Sequence, residues 1–448
     1  MPRPAIDYYH SLLTPELAEE TDALMRKLLK ERGLYFGDRP LCVVLRPHFY
    51  LEAHWTWMKA RLDILLSAFR LAHEACMANA ELRAELMMED YEEALLPYDQ
   101  PRIPPWSTSR LDTFYIADKG VLKCVEYNAE TPAGMGYADV LNEVFSQLEP
   151  MKRFAERYHV RYMHTLGRLK DAILAVYRAW GGTSEPQIGI VDWSEVPTLN
   201  EHEITRAYFE RQGLKARLAD PRLLEYRDGH LWAEDFRIDM IYKRVLFSEL
   251  VHRMGQDNAI LRAYRDGAVF ITNSISAKLL AKKASLAFLS DEAHEGMFNK
   301  QQLKAIDDHI PWTRVVKERK TLYGGRTIDL LPFLADNREH FVLKPNDEYG
   351  GSGVVLGWEC SQEGWEAALH QATLRPYVVQ ERVDLVEKPF PSWIAGALDI
   401  SPRYVDADPY GFGGDSVEAC MTRLSSLSLL NVTAGGGSIV PTVLIEPI

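Results

Sequence analysis

Phe341–Gly357 reads FVLKPNDEYGGSGVVLG. A short apolar strand ends in Lys344, a polar turn follows, and Gly350, Gly351, Ser352 and Gly353 lead into a second strand. Glycines let successive backbone N–H groups converge on an anion with no Cβ in the way. A lysine closing the preceding strand adds a point charge suited to phosphate oxygens. Taken alone, the stretch fits an ordinary glycine-rich hairpin with a solvated lysine about as well as a phosphate loop.

The common nucleotide and hydrolase signatures are missing. There is no GxxxxGK[ST], HExxH or GxSxG, and neither HRD nor DFG occurs. In a protein kinase the lysine follows the glycine loop, whereas here it precedes it. No Ser/His/Asp or Cys/His constellation stands out, and the thirteen histidines show no metal spacing.

A second informative stretch lies far upstream. RLDTFYIA (110–117), a turn at Asp118-Lys119-Gly120 and VLKCVEYN (121–128) make a hairpin pattern. Side chains at i and i+2 share a strand face, so Arg110 pairs with Asp112 and Glu126 with Asn128. Such a face is either a solvated edge or a set of hard oxygen ligands for Mg²⁺.

Composition bounds the rest. The 448 residues suggest two or three domains, and 47% hydrophobic with 26% charged residues is ordinary for a globular protein. A net charge of −13 argues against general nucleic-acid binding, which draws on Lys and Arg. Five scattered cysteines without a CxxC pair fit a reducing compartment and give no zinc signature. MPRPAIDYYH lacks the apolar core of a secretory signal, and no apolar run is long enough to span a bilayer. The expectation is a cytoplasmic protein.

Residues up to about Leu96 read as helical, with one short strand in LCVVLRPHF. The helix in TPELAEETDALMRKLLKERG starts at Thr14-Pro15 and stops at Gly33. The helical stripe around Trp55, Trp57 and Met58 reads as core or interface. From Pro186 strands and helices alternate, as in a mostly parallel sheet: PQIGIVDW, NEHEITRAYFERQG, LKARLAD, RIDMIYKR, one helix over VLFSELVHRMGQDNAILRAYRDG, then AVFITN. SISAKLLAKKASLAFL reads as a single helix, and antiparallel α+β pairs follow.

The order of a lysine helix, a strand lysine, a glycine-rich hairpin, a helix and the strand YVVQERV (377–383) resembles the ATP-grasp superfamily. The resemblance implies ATP contacts from Lys283, Lys344, the Gly350–Gly353 loop and the hinge residues Gln380, Glu381, Arg382 and Val383. Lys282 remains an alternative to Lys283. Later strands match recurring polar positions at Arg403, Arg423 and Asn431. The acid and the E-x-N strand that usually come last stand early here, as RLD at Arg110–Asp112 and EYNAETP at Glu126–Pro132. That order resembles the circularly permuted ATP-grasp proteins, specifically the synthetase domain of glutathionylspermidine synthetases, from about Trp106 onward.

The implied fold is a circularly permuted ATP-grasp core with a preATP-grasp-like α/β domain and a helical N-terminal region. The expected segments are 1–105 (helical), 106–150 (metal hairpin), 151–273 (α/β, substrate) and 274–448 (nucleotide-binding). The implied cofactors are ATP and Mg²⁺, the metal on Asp112, Glu126 and Asn128. The implied chemistry joins a small carboxylate to an amine (an amino acid, peptide or polyamine) through an acyl phosphate. Arg110 and Arg423 would act on the transferring group. Arg244 and Asn431 are substrate candidates, while Asp347 and Glu348 read as solvated turn residues. Thioester formation, phosphoryl transfer to another acceptor and a non-catalytic nucleotide scaffold are the alternatives. No nucleic-acid or membrane partner is expected.

Overall fold

In the computed structural model, residues 2–99, 104–426 and 437–448 are described. The predicted hairpin forms from Thr108–Ile116 and Val121–Asn128, closed by Gly120 at φ +61°. Only glycine takes that left-handed conformation without a Cβ penalty. Arg110 faces Asn128 and Asp112 faces Glu126, and the register then slips so that Thr113 faces Cys124. The slip leaves Val125 as a bulged residue, whose backbone is free for a partner outside the ladder.

This hairpin is one edge of a nine-stranded sheet. Asp408–Phe412 pairs with it, placing Tyr410 opposite Arg110. Ser416–Ser425, Ala397–Val405 and Val386–Ile394 continue the sheet outward. Gly437–Pro447 branches from Ser416–Ser425 and pairs at its far end with His48–Leu51 and Tyr158–Tyr162. The sheet therefore draws strands from all four expected chain segments. The helix Glu52–Ala78 packs on it, burying Trp55, Met58, Leu62 and Phe69 in the main core.

A second sheet is wholly parallel, in the order Phe270–Thr272, Met240–Lys243, Gln187–Val191, Lys215–Ala219. Asn273, just past its edge strand, clamps the hairpin. Its amide donates to the carbonyls of Thr108 (2.7 Å) and Ala129 (2.6 Å) and accepts from the Ser107 N–H (2.8 Å). A third, antiparallel sheet holds Thr313–Val315, Tyr377–Glu381, Phe341–Pro345 and Val355–Leu356. Its own core gathers Phe341, Leu343, Trp365 and Val379.

Four local expectations need correction. In LCVVLRPHF the strand begins only at His48. The stretch 245–267 is two helices, Phe247–Met254 and Ala259–Arg265, broken by Gly255 at φ +72° and restarted by the Asn258 cap. SISAKLLAKKASLAFL is also split, into Lys278–Ala281 and Ala284–Ser290, because Lys282 is extended at ψ 136°. Asn346 from the glycine-loop segment takes up the interrupted backbone: its carbonyl accepts from the Lys283 N–H and its side-chain oxygen from the Ala284 N–H, both at 2.9 Å. Finally, Asp347 is not a solvated turn residue, since its carboxylate binds the ammonium groups of Lys278 (2.6 Å) and Lys282 (3.2 Å). Among the described residues, no helix is long and apolar enough to cross a membrane.

Candidate active site

The split at Lys282 sends neighbouring lysines in different directions. Lys282 turns inward to Glu92 (2.9 Å) and Asp347. Lys283 turns to the hairpin, 3.1 Å from Glu126 Oε1, and donates to the Glu348 carbonyl at 2.6 Å. From the opposite side, Lys344 Nζ reaches the carbonyl of the bulged Val125 (3.1 Å) and Gln380 Oε1 (2.7 Å). Burial pulls the Lys344 ammonium down to about 8, against the pull of Glu126. The early acid-bearing hairpin and the late glycine-loop strand thus meet directly, although 219 positions separate Val125 from Lys344.

They meet across a cavity of about 1300 Å³, large for a single small-molecule site. Of the expected site residues, Arg110, Asp112, Glu126, Asn128, Arg244, Lys283, Lys344, Gly350, Gly351, Gln380, Glu381, Arg382, Val383 and Arg423 line its wall. Ser352, Gly353, Lys282 and Arg403 do not. Asn431 lies outside the described residues. Gly350 and Gly351 have φ of +66° and +76°, left-handed conformations that favour glycine. Gly353 serves the loop's packing instead, since a Cβ there would sit 2.7 Å from Pro345 Cγ. Between these glycines and Lys344, Tyr349 reaches across to Glu249 beside the parallel sheet (3.2 Å).

The hinge is held from behind. Gln380 spans Lys344 and the Thr313 hydroxyl, Glu381 accepts from the Tyr323 phenol at 2.9 Å, and the Arg382 guanidinium lies 4.3 Å over the Trp358 ring.

The two expected catalytic arginines are paired with carboxylates. Arg110 makes a two-pronged contact with Asp112 (2.8 and 3.1 Å) and donates to the Ala133 carbonyl. Arg423 reaches Asp112 (2.8 Å), Asp406 (2.6 Å) and Asp408 (2.7 Å). Burial alone would raise Asp112, but the two guanidinium groups outweigh it and hold the carboxyl at about 2. Burial raises Asp406 and Asp408, with Arg423 opposing. The Asn128 amide nitrogen also donates to Asp112 (2.9 Å). Two carboxylates and an amide side chain on facing, in-register strands carry oxygens of the type Mg²⁺ takes, and here both Asp112 oxygens accept from Arg110, Arg423 and Asn128. Glu126 is the most open of the three in its contacts: among the described residues its carboxylate pairs with Lys283.

Sequence reasoning missed Asp406 and Asp408. Their D-x-D spacing at a strand start was a usable signal, because i and i+2 share a face. It also missed Glu130, which binds Lys243 (3.2 Å) and Lys278 (3.1 Å), and the wall residues Asp192 and Glu201. Glu130 directly follows the E-x-N strand, but nothing in its spacing distinguishes it from a solvated turn acid.

Comparison with known proteins agrees with this architecture. Residues 114–425 match the family described as circularly permuted ATP-grasp type 2. The chain is 26% identical over 356 residues to a Frankia alni protein named putative glutamate–cysteine ligase 2-3, covering 74% of this chain and 38% of that protein. It thus spans about two fifths of that relative's length. An uncharacterized protein of Mycobacterium bovis is 23% identical over 460 residues, covering 94% of this chain and 78% of the other. Among solved structures, an apo glutathione synthetase-like effector of Globodera pallida aligns with a TM-score of 0.61 at 11% identity, covering 96% of this chain and 98% of that one. At that identity the likeness speaks for the fold alone. The chain belongs to the circularly permuted ATP-grasp type 2 family and has that family's fold.

Proposed function

We propose that the protein is an ATP-dependent ligase that joins a carboxylate to an amine, forming an amide through an acyl phosphate and releasing ADP. The observation that carries this reading is the convergence of Lys283, Lys344 and the Gly350–Gly351 turn on the Asp112/Glu126/Asn128 hairpin across one cavity. The lysines and the glycine N–H groups would bind the phosphates, and Gln380–Val383 would flank the base. Asp112, Glu126 and Asn128 would hold Mg²⁺, which supplies charge neutralisation at phosphate oxygens. Arg110 and Arg423, positioned by the aspartates, present guanidinium charge where negative charge builds on the transferred phosphoryl group. The loop carrying Tyr349 would keep water from the acyl phosphate. No protein nucleophile is needed. The likeness to glutathionylspermidine synthetases supports a carboxylate–amine pairing, and the five unpaired cysteines suit a reducing, cytoplasmic setting.

ADP release tested against amino acids, short peptides and polyamines, with mass spectrometry of the product, decides the matter. Turnover should require Mg²⁺ and fall at least a hundredfold in Glu126→Gln. Unchanged turnover in that variant removes the hairpin from the mechanism, and a phosphorylated or thioester product replaces the amide-forming reading.

A further inference from the structure

The same cavity has a second chemical end, walled by the parallel sheet and the helix after it. Arg244 follows the strand Met240–Lys243, Asp192 follows Gln187–Val191, and Glu201 lies in the first turn of Leu199–Arg211. All three line the cavity.

Each is incompletely satisfied by the protein. Arg244 is 9% exposed, and one of its terminal nitrogens donates to the Pro132 carbonyl at 2.7 Å. Among the described residues no carboxylate forms an ion pair with it, although a buried guanidinium without a counter-ion is costly. Glu201 is 4% exposed. Its Oε1 accepts from the N–H groups of Gly134 (2.7 Å) and Gly136 (3.3 Å), while the buried Oε2 has no hydrogen-bond partner. Asp192 accepts from the Trp193 N–H through one oxygen, and its other oxygen lies 3.5 Å from His202 Nε2. Burial keeps that imidazole neutral near physiological pH. Glu249, also on this wall, is already occupied by Trp193 Nε1 and the Tyr349 phenol.

The three open groups are neighbours: Lys243 pairs with Val191, which sets Arg244 beside Asp192, and Arg244 and Glu201 both bind the backbone of residues 132–136. Burial would lower the Arg244 guanidinium, but Tyr242, Glu201 and Asp192 together outweigh it. A cation held in no ion pair among the described residues thus stands beside a carboxylate oxygen with no donor, and both face a cavity shared with the nucleotide end. A purely anionic ligand would satisfy Arg244 and be repelled by Glu201 and Asp192. A simple amine would do the reverse. A group carrying both charges on one carbon satisfies all three.

We propose that Arg244, Glu201 and Asp192 bind the head group of an α-amino acid, Arg244 taking its carboxylate and the two acids its ammonium. The inference rests on the ligase reading and names the class of one of its substrates. The rest of that substrate would extend toward Lys344 and the hairpin.

The test is isothermal titration of the full chain, with Mg²⁺ and a non-hydrolysable ATP analogue present, against the twenty L-amino acids. The tightest binder is then compared with its des-amino and its decarboxylated analogue. Each analogue should bind at least about tenfold more weakly, the usual effect of losing a hydrogen bond to a charged group. Glu201→Gln retains an oxygen for the glycine N–H groups and changes only the open position. It should weaken the amino acid about tenfold and leave the des-amino analogue bound at least as tightly as before. Arg244→Met should weaken the amino acid and spare the decarboxylated analogue. An analogue that binds as tightly as its parent overturns the proposal, as does the absence of binding by every amino acid. The analogue comparison uses unmodified protein, so a poorly folded variant does not obscure it. Binding of the ATP analogue alone is measured in parallel. If that binding is absent the ligase reading fails, whereas nucleotide binding without any amino-acid binding sinks only the head-group site.

Discussion

Lys278 is the most informative residue to perturb outside the cavity. It is 1% exposed and touches three carboxylates: Asp347 at 2.6 Å, Glu130 at 3.1 Å and Glu92 at 3.6 Å. Lys282 shares Glu92 and Asp347, and Lys243 shares Glu130. The group balances three ammonium ions against three carboxylates. Burial lowers Lys243 to about 8, and the Lys243 and Lys278 charges overcome burial to hold Glu130 at about 2, so Glu130 is ionised at neutral pH. Lys278→Met keeps much of the side-chain length and removes one charge. Every acid retains one cationic neighbour, yet the buried set is left with one uncompensated negative charge. Breaking a buried pair from one side costs about 3–5 kcal/mol, and that is the expected loss in urea unfolding of the full chain at pH 7.5. Lys278→Met/Glu92→Gln restores the balance, leaving Lys243 with Glu130 and Lys282 with Asp347, and its amide oxygen can still accept from the Glu89 N–H, 2.8 Å away in the parent. The double variant should therefore be more stable than Lys278→Met alone. A loss below about 1 kcal/mol in the single variant, or additivity of the two single losses within about 0.5 kcal/mol, would refute the charge-balance argument.

The remaining predictions concern the site, the backbone and acid stability. Lys283→Met should weaken binding of an ATP analogue about tenfold or more with little change in stability, whereas Lys282→Met, which strips a partner from buried Glu92, should chiefly lower the unfolding midpoint; equal effects on nucleotide affinity would reverse the assignment between the two lysines. Gly134→Ala places a Cβ 2.7 Å from both Met421 Sδ and the Tyr410 hydroxyl at φ +99°, so about 2–4 kcal/mol should be lost. Gly229→Ala, at φ +72° in open space, should cost about 1–2 kcal/mol, and equal losses in urea unfolding would show that crowding at Gly134 is relieved by its neighbours. Burial lowers His73 to about 4, and burial with Arg244 nearby lowers His202 to about 3, so on acidification the unfolded chain takes up these protons first. Their contribution is complete above pH 6.5 and falls by about 1.4 kcal/mol per pH unit for each histidine as pH drops toward 4. Asp192, raised by burial to about 6, works in the opposite sense between pH 6 and 3.8 and offsets one of them. Urea midpoints at pH 7 and pH 5 should therefore differ, and equal midpoints would argue that these histidines ionise in the folded protein.

The features legible in the sequence are those set by local rules. Strand alternation was enough to pair Arg110 with Asp112 and Glu126 with Asn128 along their strands, but counting back from the Asp118-Lys119-Gly120 turn sets Asp112 opposite Val125, and it is the slip at Val125 that brings Asp112 onto the face of Glu126 and Asn128. The glycine run and strand lysine were equally local. The illegible features depend on distant partners. An unbroken helix through Lys282 and Lys283 satisfies every propensity in SISAKLLAKKASLAFL. It is interrupted because Asn346, more than sixty positions later, offers its carbonyl and side-chain oxygen to the backbone N–H groups that the break exposes. Asp347 looked solvated for the same reason, since its lysine partners belong to another element. Arg110 and Arg423 were legible as guanidinium groups near phosphate, but the aspartates that orient them were not.

The bulge at Val125 shows how a one-residue irregularity joins the two halves of the site. In an unbroken antiparallel ladder each strand carbonyl is either spent on its neighbour or directed off the sheet edge. The slip after Asp112 leaves the Val125 carbonyl without a cross-strand partner, and Lys344 donates to it. The interaction positions the lysine by its tip while its strand is held by Tyr377–Glu381. It also explains how the site tolerates a permuted chain order. Asp408–Phe412 pairs with Thr108–Arg110 by register alone, and Lys344 meets Val125 by a backbone contact. Neither contact requires the elements to be near in sequence or to follow a particular order. What they do require is the bulge: a strand without it would return Val125 to the ladder, leave Lys344 only Gln380 as a hydrogen-bond partner, and loosen the join between the hairpin and the glycine loop.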